Sequence, residues 1–106
     1  MTVNPLVGIA HPYAADPEGN TERLKVICRD VTNAGDIPIA AALYLPQWMD
    51  EATERERALA IACHLVSLCR ELRVYGLPTE GMLREINAAE VYGIPVVYLE
   101  VPSWST

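Results

Sequence analysis

Pro78-Thr79-Glu80-Gly81-Met82-Leu83-Arg84-Glu85-Ile86-Asn87-Ala88-Ala89-Glu90-Val91-Tyr92-Gly93-Ile94-Pro95-Val96 is the stretch whose reading decides the fold. Pro78 and Gly81 punctuate one side and Gly93 with Pro95 the other, leaving room for about three helical turns. The segment therefore reads as loop, short helix and the start of a strand. With about 100° between successive residues, Met82, Leu83, Ile86 and Ala89 share one arc, and Arg84 and Asn87 lie opposite. Glu85 falls at the edge of that arc beside Tyr92, one turn past Gly81. Unpaired amides and the positive dipole end collect there, which favours an ionised carboxylate, and a glycine lets a ligand oxygen come close. Glu90 falls inside the arc near the helix end. Either glutamate can face a cleft, while a solvated position is the commoner fate of a helical Glu.

Upstream of this segment the same wiring repeats. Leu6-Val7-Gly8-Ile9-Ala10 is an apolar run ended by His11-Pro12, as suits a strand buried on both faces of a parallel sheet. A loop runs through Gly19. Asn20 or Thr21 can cap a helix in which Leu24, Ile27, Cys28, Val31 and Ala34 mark one face before Gly35 stops it. Ile37 to Ala40 is a second strand, with Pro38 at its beginning because proline cannot donate to a central ladder. Ala41 to Glu51 has no clear periodicity and reads as a loop rich in aromatics. Tyr44 and Trp48 in it either cover a ligand or cap the core.

Thr53 to Arg70 reads as the longest helix, with Thr53 and Glu56 in a capping-box pattern. Its apolar residues cover more than half of the wheel, wider than one sheet face needs, and predict a subunit interface over 53–70. His64 projects from the polar side. Leu72 to Tyr75 is a third strand, followed by Gly76 and Pro78, and Val96 to Leu99 is a fourth. The tail Pro102 to Thr106 contains Trp104, a residue expensive to leave exposed.

A β-α-β-α-β-α-β order demands parallel strands joined by right-handed crossovers. The expected architecture is a single α/β domain over residues 1–106: a doubly wound four-stranded parallel sheet in order 2-1-3-4, with helices on both faces, of Rossmann or flavodoxin-like type. In such a sheet, ligands bind beyond the carboxyl ends of the strands, where the winding reverses. The loops His11 to Asp16 and Gly76 to Gly81 meet there, between the first and third strands.

The 106 residues suffice for one core, and 51% apolar with 21% charged residues is a globular composition rather than a disordered one. A net charge of −6, with the eight Lys and Arg dispersed, argues against a nucleic-acid partner and favours a small molecule. Cys28, Cys63 and Cys69 show neither CxxC nor a His-bearing metal spacing. They read as buried free thiols in a reducing cytoplasm, with no metal and no cofactor. No signal-peptide pattern opens the chain and no apolar run reaches membrane-spanning length, so a soluble cytoplasmic protein with no membrane partner is expected.

Gly81, Glu85 four residues later and Gly93-Ile94-Pro95-Val96 eight beyond that, together with Val7-Gly8-Ile9-Ala10-His11-Pro12-Tyr13-Ala14, resemble the nucleoside 2-deoxyribosyltransferase family and the small phage and prophage domains related to it. The resemblance covers most of the chain. It implies that Glu85 is the nucleophile that takes the deoxyribosyl group. It implies a nucleoside or nucleotide site drawing on His11, Pro12, Tyr13, Asp16, Trp48, Gly76, Thr79, Glu80, Gly81 and Met82. Relatives carry an aromatic-Pro-Gln type stretch near Trp48, and in some the chain end reaches a neighbouring subunit's site. Two departures stand out. Thr79 occupies the position of the family's substrate-site aspartate, and His11 replaces the small residue before the proline of the first turn. For the group that manages the departing base, His11, Asp16, Asp50 and Glu80 all remain open, and Thr79 can bond but not serve as an acid near neutral pH. Three readings follow: a transferase or N-glycoside hydrolase, a nucleotide-binding module without turnover, and a small oligomeric interaction protein.

Overall fold

The computed structural model of the protein describes residues 3–100. The elements run β1 (Leu6–Ala10), α1 (Pro17–Asn33), β2 (Ile37–Ile39), α2 (Ala41–Tyr44) with a 3₁₀ turn (Leu45–Gln47), α3 (Arg55–Val66), β3 (Glu71–Tyr75), α4 (Glu80–Val91) and β4 (Val96–Leu99). All strand pairs are parallel and the order is β2-β1-β3-β4. The fold is the expected doubly wound α/β sheet. β1 and β3 are central, pairing Val7 with Glu71 and Ala10 with Val74. β1 reads as a continuous apolar run, as suits a strand covered on both faces, whereas β3 interleaves Glu71 and Arg73 with the buried Leu72 and Val74.

Alternate residues of the central strands feed two separate cores. Val7, Ile9 and Tyr75 pack with Leu24, Ile27 and Val31 of α1. Ala10, Leu72 and Val74 pack on the opposite face with Val66 of α3 and with Met82, Ile86 and Ala89 of α4. Gly8 belongs to the second face, where a Cβ would come within 3.1 Å of the Leu72 side chain. The small residue at this point lets the third strand's leucine lie against the first.

Several boundaries differ from the sequence reading, each for a local reason. α1 begins at Pro17, not after Gly19, because Asp16 caps it by accepting from the Gly19 amide and proline suits the first helical position. Asn20 instead sends its side-chain amide to the Tyr13 carbonyl and accepts from Arg23. α3 begins at Arg55 and ends at Val66, short of the expected 53–70. The Thr53 capping box does not form; instead the Asp50 amide donates to the Glu54 carboxylate and the Glu54 amide to the Asp50 carbonyl. Pro38 sits in the middle of β2, tolerated because β2 is an edge strand. The segment expected as a loop from Ala41 folds into α2 and the 3₁₀ turn. The tail Pro102 to Thr106 lies outside the described residues.

The wide apolar arc of α3 has partners within the same chain. Ala62 and Val66 are buried, Leu59 packs against Gly81, and the Cys63 thiol lies 3.6 Å from the Arg84 carbonyl. α3 thus meets the sheet on one side and α4 on another. Among the described residues no helix is long and apolar enough to cross a membrane.

Candidate functional site

A cavity of about 400 Å³ opens at the carboxyl ends of β1 and β3, a size in the range of small-molecule sites. It lies where the winding of the sheet reverses. Ile9, His11, Pro12, Tyr13, Ala14 and Ala15 of β1 and its loop form one wall, and Leu24 of α1 reaches the same space. Ala41, Ala42, Leu45 and Pro46 come from α2 and the 3₁₀ turn. Ala58, Leu59 and Ala62 come from α3, and Thr79, Glu80, Gly81, Met82 and Glu85 from the start of α4. Most of this lining is apolar, with a few polar groups set in it.

The polar groups differ in how they are satisfied. Arg55 donates to Glu51 at 3.0 Å and lies 3.9 Å from Glu80, so the one guanidinium on the lining is held by two carboxylates. Thr79 caps α4: its hydroxyl accepts from the Met82 amide at 3.3 Å, while its own amide points at the Met82 sulfur. A methionine here takes the place of the usual acidic partner of a capping box. Gly81 is fixed by packing, because a Cβ would press to 3.3 Å on the Leu59 side chain.

His11 is 7% exposed. Its Nδ1 lies 2.7 Å from the Pro12 carbonyl, and its Nε2 is buried with no protein partner among the described residues. A carbonyl can only accept, so Nδ1 carries the proton and the neutral ring presents a lone pair at Nε2. Burial holds the imidazole below its ordinary pKa. The Pro12 carbonyl works against this and the positive charge of Arg23 adds to it.

Glu85 is half-buried on the second turn of α4. Burial alone pushes its carboxyl from the ordinary 4.5 up to about 7, with no hydrogen bond or ion pair contributing. This corrects the expectation that the helix dipole holds it ionised. The residue stands beyond the first turn, where the dipole's field has fallen off, and desolvation by apolar neighbours prevails. Glu90 is exposed.

Of the residues singled out from the sequence, Glu85, His11, Pro12, Tyr13, Thr79, Glu80, Gly81 and Met82 come together on the cavity lining, and Asp16, Trp48 and Gly76 do not. Asp16 is committed to capping α1 and lies 3.5 Å from Arg23. Trp48 is 63% exposed and stacks on Tyr44 at 5.3 Å between ring centroids. Gly76 adopts a φ of 74° and donates to the Leu99 carbonyl, a turn that ends β3. Glu51, Arg55 and the apolar wall from α3 escaped the sequence reading. Their signal was the width of the α3 apolar arc, which the cavity and α4 share. Among the described residues no group of three or more His, Cys, Asp or Glu could hold a metal ion.

Residues 5–99 match the model of a family described as a domain of unknown function (DUF7768), and the chain belongs to that family. No curated protein matches the chain.

Proposed function

We propose that the protein cleaves or transfers the N-glycosidic bond of a nucleoside or nucleotide, with Glu85 as nucleophile. The family carries no activity to transfer, so the reading rests on the cavity and on the resemblance to the nucleoside 2-deoxyribosyltransferases. The observation that carries it is the unpartnered Glu85 carboxyl, desolvated on the wall of an apolar cavity at the switch point of the sheet.

A carboxylate beneath a sugar ring stabilises the oxocarbenium character of the transition state and traps the sugar. One oxygen of Glu85 bonds to the anomeric carbon as the carbon–nitrogen bond breaks, and that bond's electron pair leaves with the base. Water or a second base then attacks the glycosyl ester, releasing the carboxylate. Of the carboxyl groups open for managing the departing base, Glu80 lines the cavity and Asp16 and Asp50 do not. The neutral His11 cannot serve, since its proton is committed to the Pro12 carbonyl. A cytoplasmic location and a homo-oligomer through α3 belong to the same proposal. Ile61 and Leu65, half-buried on α3, support the second.

A nucleotide-binding module without turnover is the second reading, favoured by Thr79. Its hydroxyl is occupied in capping α4, which leaves the family's aspartate position without an acid. Base release followed by chromatography across a panel of nucleosides and nucleotides separates the two. Glu85→Ala is expected to abolish release with folding intact, and Glu90→Ala to leave it unchanged. Saturable binding without any release would establish the binding-module reading instead.

A further inference from the structure

We infer that His11 is a specificity residue: its Nε2 lone pair accepts a hydrogen bond from an N–H or O–H group of an uncharged ligand, a nucleoside without phosphate. The inference rests on the proposed function for the class of ligand, and on the geometry of His11 for the rest.

Three observations converge on it. First, Nδ1 is fixed as the donor by the Pro12 carbonyl at 2.7 Å, which leaves Nε2 as an acceptor and nothing else. Second, Nε2 is buried and no described protein group bonds to it. A buried acceptor left alone costs about 1–3 kcal/mol, and His11 is one of the residues that line the cavity. Third, the carboxyl groups on the lining are those of Glu51, Glu80 and Glu85, against the single cation Arg55. That cation already sits between Glu51 and Glu80. A phosphate would enter a lining with more carboxylates than cations and no free guanidinium, which is an unfavourable exchange for a dianion.

An acceptor of this kind discriminates by absence. A ligand that brings a donor satisfies Nε2, whereas one presenting only a lone pair or a methyl group leaves it buried and alone. Arg23, close enough to depress the His11 pKa, also disfavours the charged imidazolium that would turn Nε2 into a donor.

The test follows the ring nitrogens by NMR in protein labelled with nitrogen-15 histidine, using His64→Gln to remove the other, exposed histidine signal. Titration with 2′-deoxynucleosides is expected to move the Nε2 signal in the direction of an accepted hydrogen bond, with Nδ1 unmoved. The matching 5′-monophosphates are expected to bind at least tenfold more weakly. His11→Phe, checked for folding by circular dichroism, should weaken nucleoside binding by about tenfold. The wild-type titration stands even where that variant fails to fold. A nucleoside that saturates the protein while Nε2 stays still, or a monophosphate that binds more tightly, would overturn the inference. Base release is measured in the same samples. A moving Nε2 with no release would sink the enzyme reading and leave the inference standing, and release from a monophosphate with a silent Nε2 would do the reverse.

Discussion

At the amino ends of the strands, polar side chains are tied to one another, whereas at the carboxyl ends Nε2 of His11 and the Glu85 carboxyl have no partner among the described residues. Arg70 donates to both oxygens of Asp36 at 2.6 and 3.1 Å and reaches the Asn4 carbonyl at 3.3 Å. The Asn4 amide caps the chain at the Leu68 carbonyl, and Glu71 holds Arg73 at 2.6 Å. These contacts clamp the entries of β1, β2 and β3 together. Across the same sheet, Nε2 of His11 is buried and bare, and the Glu85 carboxyl is desolvated with its pKa raised. Polar groups that only hold a chain together are free to satisfy one another. Groups kept for a ligand must stay unsatisfied until it arrives, and folding bears that cost.

The two ends share the central strands and the cores packed on either face of them, and the largest effect comes from breaking that packing. Leu72, fully buried in β3 between them, should lose about 2–5 kcal/mol on replacement by alanine. Denaturant unfolding should give a single transition in which the amino-end clamp and the cavity are lost together. Two separated transitions would mean that the ends are independent, and the contrast between them would then lose its energetic meaning.

Next in size is the cost of leaving Glu85 bare. Its folded pKa lies above the unfolded one, so the folded state binds the proton more tightly. Its stability is complete below pH 4.5 and falls as pH rises toward about 7. Glu85→Gln removes that cost. Thermal unfolding should show the variant more stable than wild type at pH 8, by up to about 3 kcal/mol, and no different near pH 4. An equal stability at pH 8 would mean that the carboxyl is well solvated and the cavity wetter than its lining suggests.

How much of this contrast the sequence revealed follows from the range of the forces involved. β1 and β4 were legible to the residue, because an apolar run bounded by proline or glycine depends on neighbours in sequence. The switch-point cavity was legible as a place, since strand order fixes where winding reverses. The raised pKa of Glu85 was not: the dipole argument used residues four apart, whereas the desolvation comes from elements distant in sequence. The breadth of the α3 arc, read as a subunit interface over 53–70, is shared within the chain by the sheet, α4 and the cavity, all distant in sequence, and the oligomer through α3 stays a proposal. The start of α1 differs from the sequence reading for the opposite reason. The Asp-Pro pair is a strong local start signal, and it overrides Gly19, which sits inside the first turn and donates its amide to the Asp16 cap.

A smaller effect separates structure from site at the carboxyl end itself. Gly76 holds a positive φ of 74° beside the cavity-bearing loop, yet lines no part of it. Gly76→Ala should cost about 1 kcal/mol in chemical denaturation from backbone strain and leave nucleoside binding where it was. A loss of binding at unchanged stability would return Gly76 to the site.

The smallest effect lies in the amino-end clamp, and its sign is opposite to that of Glu85. The hydrogen bonds from Arg70 hold the Asp36 carboxyl below its ordinary 3.8, while partial burial works the other way and the charges of Arg70 and Arg73 add to the lowering. A depressed folded pKa contributes stability that is present above pH 3.8 and is lost as pH falls through the lower folded value. Arg70→Gln removes the partner, so its melting temperature should sit modestly below that of wild type at pH 7. The gap should close in strong acid, where Asp36 is protonated in both proteins. Both side chains keep contact with water, and exposed pairs are screened by salt, so raising ionic strength should narrow the gap at pH 7 as well. A pH series on wild type, Arg70→Gln and Glu85→Gln therefore tests the contrast from both sides. The clamp should weaken as acid is added and the cavity end as it is removed. Curves that bend in the same direction would mean that the two ends do not differ in the way their contacts imply.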